Sequence, residues 1–219
     1  MAGGLHLAAG LAAGLLAGVF GRLAAARFLP RAAEHGAGVD LVDPPTRFGG
    51  AQASDLWLGL AGVALVGLVN LPVLTTFVLL ASLATAGATD TARRLVPDAA
   101  VVAMALLGLM TAAPGQGMLV ARLATAGVLL AILLALHFVH RRMTGDDGLG
   151  LGDVKLLAAM GVWLSPTAAA MMVALTTLLA LAWLVVERRR GRTVEGVALA
   201  PFAVIAFVLV LTAQAELAS

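Results

Sequence analysis

Apolar runs long enough to cross a bilayer follow one another along nearly the whole chain, and this pattern limits the fold more than any other feature. The hydrophobic fraction is 61% and the mean hydropathy +1.02, against about 45–50% apolar residues in an ordinary soluble domain. The longest polar stretch runs only from about Phe28 to Ser54. The chain therefore reads as an all-α polytopic membrane protein with the lipid bilayer as its first partner, not as a globular domain on one anchor. Its formal charge of +2 comes from arginines at segment ends, which points to orientation in a membrane and not to nucleic-acid binding. Cysteine is absent, so disulfides and thiolate metal sites are excluded.

The runs divide at proline, glycine and charge. Gly4 to Ala26 is the first expected span, with Gly10, Gly14 and Gly18 on one face where a neighbouring helix can come close. It lacks a basic n-region and exceeds an ordinary h-region, so it is expected to stay as a helix and not to be removed as a signal peptide. Residues 32–54, with Pro44-Pro45 and Gly49-Gly50, read as an irregular loop. Asp55 to Thr89 is too long for one span, and Asn70-Leu71-Pro72 splits it into two helices. Pro97–Ala113, Met118–His140, a short helix over Leu151–Leu164, Ala168–Val186 and Val197–Thr212 complete the map, with a kink expected near Pro201. About eight transmembrane helices result. With the loop after the first span in the cytoplasm, alternation puts thirteen of the fourteen Lys and Arg on that side and only Arg122 near the other. Both termini are then expected outside the cytoplasm.

Two carboxylates stand out on this map. Asp153 closes Gly148-Leu149-Gly150-Leu151-Gly152, three alternating glycines that lead into an apolar helix. Asp90 ends one apolar run and stands just before the next, in Asp90-Thr91-Ala92-Arg93-Arg94-Leu95-Val96-Pro97-Asp98. Charge at the edge of hydrocarbon is costly and marks function by default. The map puts both acids on one membrane face, each at a helix end. Two carboxylates on one water can perform aspartic proteolysis, in which one, ionised, takes a proton from water while the other, protonated, hydrogen-bonds the scissile carbonyl.

The segment Gly150-Leu151-Gly152-Asp153-Val154-Lys155 resembles the glycine–aspartate motif of the type IV prepilin peptidases, a family of membrane aspartic proteases. Asp90 followed by Leu95-Val96-Pro97-Asp98 is similar to that family's first active-site segment. Gly14 to Phe20 with Arg27-Phe28-Leu29-Pro30, and Ala200-Pro201-Phe202, resemble its first and last helices. The resemblance implies that Asp90 and Asp153 are the catalytic pair, with Gly150, Gly152 and Lys155 as motif support. It implies a pilin-like precursor as partner, with a short basic leader, a glycine at the cut and a hydrophobic helix after it. Cleavage would fall on the cytoplasmic side of the inner (plasma) membrane. Residues 55–219 would be the peptidase core. Residues 1–54 would be a reduced counterpart of the region that, in many members, binds zinc through two cysteine pairs and accompanies N-methylation. Without those cysteines no zinc, and no other cofactor, is expected, and methyl transfer is not.

Blander roles compete at each position. Asp153 could be a first-turn or capping acid of its helix, and Asp98 reads as one. Asp146 and Asp147 read as a solvated loop, with a basic leader or a divalent ion as alternative ligands. Lys155, two residues from Asp153, does not face it on a helix and reads as a headgroup or inter-segment contact. His137 and His140 have metal-ligand spacing but no third ligand nearby, and read as a plain helix end. A proton-coupled transporter is the rival from another class, since intramembrane acids also mark proton relays. Acids at one face and no clear internal repeat weigh against it.

Overall fold

The computed structural model describes residues 11–17, 71–111, 116–145, 148–191 and 197–218, and every regular element among them is helical. A helical segment covers residues 11–17. Among the described residues six further helices follow, α1 (Val73–Arg93), α2 (Asp98–Met110), α3 (Gln116–Thr144), α4 (Leu151–Gly161), α5 (Pro166–Arg189) and α6 (Ala200–Ala218). The remainder of the expected first span, the loop over residues 32–54 and the expected helix from Asp55 to Asn70 lie outside the described residues.

Among the described residues four helices are long and apolar enough to cross a membrane, over Val73–Thr91, Gly117–Thr144, Pro166–Arg189 and Ala200–Leu217. The 13 residues of α2 and the 11 of α4 fall short, reaching only ~20 Å and ~16 Å against ~30 Å of hydrocarbon. Thus the helical membrane class stands, with four candidate spans in the described part. Large apolar side chains lie exposed along α3 (Val128, Ile132, Leu136, Phe138) and α5 (Leu178, Leu181). A surface of this kind suits lipid and would be a liability in water.

The chain forms two compact units, residues 1–103 with 215–219, and residues 104–214. In the first, α1 starts directly after Pro72, whose carbonyl accepts the first helical hydrogen bond from the Thr76 N–H at 2.9 Å. Thr76, Leu79, Leu83, Ala86 and Asp90 are all buried, at the three- and four-residue spacing of one helix face. Arg94 ends the helix in the left-handed conformation (φ 53°), its N–H bonding the Asp90 carbonyl at 2.7 Å.

In the second unit α3 and α4 pack against each other along much of the shorter helix. α4 is buried from Leu156 onward, as expected of a short helix that is apolar on all sides. Beyond its end, Trp163 reaches across to α2 and its indole N–H donates to the Met104 carbonyl at 3.0 Å. Gly108 makes room for that ring: a Cβ there would stand 2.7 Å from Trp163 Nε1 and 2.9 Å from Val162 Cγ1. Gly108→Ala is therefore expected to lower stability by ~1–3 kcal/mol through overpacking. Thermal unfolding in detergent measures this, with Gly117→Ala, where nothing lies within 4 Å, as the unaffected control.

Arg122, the one basic residue that the sequence map leaves near the opposite face, caps α2. Its guanidinium donates to the Gly108 carbonyl and, at 3.1 Å, to Thr111 Oγ1. A cation at a helix C-terminus satisfies orphan carbonyls and meets the negative end of the dipole. Ser165-Pro166 opens α5: Ser165 Oγ accepts the Ala168 N–H at 3.3 Å and Pro166 is the first helical residue. The kink expected at Pro201 is replaced by a helix start. Pro201 is the second residue of α6, in the first turn, where a missing N–H costs no hydrogen bond.

Candidate active site

Asp90 lies one turn from the end of α1 and is only 3% exposed, the polar continuation of the buried stripe. The residues around it are threonines whose hydroxyls bond back into their own helix, Thr85 to Ala81, Thr89 to Thr85 and Thr91 to Gly87, each at 2.7 Å. Buried hydroxyls need such partners, and the helix supplies them without calling on another segment.

Asp153 is the third residue of α4, and Val154 after it is fully buried, so the carboxylate stands where the chain enters the core. The side chain folds back over the loop. A Cβ on Gly150 would lie 3.2 Å from Asp153 Oδ2, so the glycine keeps the space beside the carboxylate clear. Gly150 is the extended residue before the helix (φ −62°, ψ 139°) and offers no side-chain cap. An acid in this first turn also gains ~0.3–1 kcal/mol from the helix dipole at an exposed site. The stabilising role and the catalytic one are compatible.

The loop before α4 is shaped from α3. Gly148 is left-handed (φ 38°), and the ring of His140 occupies the place its Cβ would take. His137 Nδ1 lies 2.6 Å from the Leu149 carbonyl oxygen. A carbonyl only accepts, so Nδ1 carries the proton in this contact. The imidazole is 1% exposed and sits edge-on to Phe138, centroids 5.2 Å apart. His137 is thus no plain helix end. Among the described residues its buried Nε2 has no hydrogen-bond partner. The only sequence signal for this role was the spacing of His137 and His140, one turn apart, which points both rings at the same loop.

Gly152 is half-buried and Lys155 exposed, while Asp98 opens α2 at its exposed first position. Asp146 and Asp147 lie outside the described residues. Asp90 belongs to the first unit and Asp153 to the second.

Fold and composition together define an integral membrane protein, with one carboxylate at the end of a long apolar helix and another at the start of a short buried one. The family model of the type IV leader peptidases matches residues 77–185, about half of the chain, and includes both acids. The chain belongs to the type IV leader peptidase family and is by that membership a peptidase-type hydrolase, for which prepilin-like substrates are implied. No curated protein and no solved structure matches it. Nothing in these findings supports the transporter reading.

Proposed function

We propose that this protein is a membrane aspartic endopeptidase that removes the short basic leader of type IV pilin-like precursors. Asp90 and Asp153 are its catalytic pair, working at the cytoplasmic face of the inner (plasma) membrane. The observation that carries this reading is the family match, which runs through both acids and through the glycine stretch before Asp153. In the reaction one carboxylate takes a proton from water while its protonated partner polarises the scissile carbonyl. The tetrahedral intermediate then collapses as the new amine leaves with a proton. Gly150 serves by leaving room beside the Asp153 carboxylate. Lys155 and the arginines that end α3 and α5 (Arg141, Arg142, Arg188, Arg189) anchor that side at the headgroups. Residues 55–219 form the peptidase core, and residues 1–54 the reduced region that needs no zinc.

The test is coexpression with a precursor carrying a basic leader, a glycine and a hydrophobic helix, followed by mass spectrometry of the product. The expected product has lost the leader and gained no methyl group at its new amino terminus. Intact precursor beside a properly inserted enzyme would overturn the peptidase reading. A stoichiometric gain of one methyl would overturn only the statement about the short loop.

A further inference from the structure

We propose that His137 is a positioning residue for the peptidase reaction: its Nδ1–H bond to the Leu149 carbonyl fixes the glycine loop that aims Asp153. This rests on the reading of Asp153 as catalytic. Leu149 stands between left-handed Gly148 and Gly150, the residue that leads into α4. Two flanking glycines give this backbone wide conformational freedom, and a tie at the peptide between them removes it. The orientation of Gly150 sets the first turn of α4, and the Asp153 carboxylate lies against Gly150 itself. A shift of the Leu149 carbonyl is thereby passed to the carboxylate over four residues of backbone. The tie comes from a helix well placed to hold it, since α3 and α4 pack against each other in this unit.

The contact of Nδ1 with a backbone carbonyl distinguishes this role from a packing role. An apolar side chain of similar size would fill the same buried space and leave the loop untied. The imidazole therefore serves through Nδ1. Positioning of this kind acts on the chemical step, because a reacting group displaced by about 1 Å can lose ~100-fold in rate.

The experiment uses the full chain in membranes and exploits its lack of cysteine. Leu149→Cys supplies a single thiol on the loop, and its alkylation by a maleimide reports loop opening without reference to cleavage. His137→Leu is expected to speed alkylation about tenfold, and to lower kcat by ~10–100-fold with KM within about twofold. His137→Asn, whose amide nitrogen stands near the place of Nδ1, is expected to recover both. His137→Gln, whose amide stands near Nε2, is expected to recover neither, and this Asn–Gln contrast decides the matter if the Leu variant fails to insert. Unchanged alkylation in His137→Leu, or equal loss of kcat in the Asn and Gln variants, overturns the proposal. Normal cleavage by Asp153→Asn would instead overturn the peptidase reading and leave the alkylation result to stand alone.

Discussion

Membranes carrying the Asp90→Asn or the Asp153→Asn protein are expected to leave a prepilin-like precursor uncut. The substitution keeps the shape of each side chain and removes its ability to exchange a proton. If the two acids work on one water, neither half retains chemistry without the other, and each single change should be about as damaging as both together. The pH profile of the parent should be bell-shaped and belong to the pair, not to either residue. Asp98→Asn, Asp146→Asn and Asp147→Asn should retain substantial activity. Because Asp153 also sits in the first turn of α4, its replacement removes a dipole interaction worth ~0.3–1 kcal/mol. Insertion and thermal stability of each variant must therefore be measured beside cleavage. Normal processing by a stable, inserted variant of either acid would sink the mechanism.

Much of the described architecture was legible because proline, serine and glycine punctuate the apolar runs. Pro72 precedes α1, Asp98 follows Pro97 at the start of α2, and Gly150 hands over to Leu151 at α4. Helix ends marked by basic residues were less legible. α3 continues beyond His140 to Thr144 and α5 beyond Val186 to Arg189. Hydropathy stops at the last apolar residue, whereas arginines extend a helix readily and suit its C-terminal dipole. Pro201 was misread for a related reason: a proline predicts a kink only if the helix has already begun, and here α6 starts at Ala200. Both carboxylates were visible as isolated charges at the ends of apolar runs. His137 was not, because its role depends on which backbone carbonyl the loop presents to it, and periodicity carries no information about that.

Gly148→Val is expected to reduce cleavage about 100-fold without unfolding the helices. Gly148 has a φ of 38°, and left-handed geometry costs an ordinary residue ~1–2 kcal/mol and is a genuine outlier for a β-branched one. A Cβ would also enter the His140 ring. His140 is exposed, so its ring can swing aside, and the backbone strain is the part that cannot be relieved. This yields a graded series. Gly148→Asn should be mild, because asparagine visits the left-handed region. Gly148→Ala should lie between, near the factor of ~5–30 that 1–2 kcal/mol implies. Adding His140→Ala to Gly148→Ala should restore little, since it removes the collision and leaves the strain. His137→Leu combined with Gly148→Val should be far less damaging than the product of the two losses, because a loop already released from α3 has no fixed geometry left to lose. Cleavage rates across the series, with thermal unfolding alongside, provide the measurement. Parental activity in Gly148→Val, or full additivity with His137→Leu, would mean that the conformation of this loop does not set the position of Asp153.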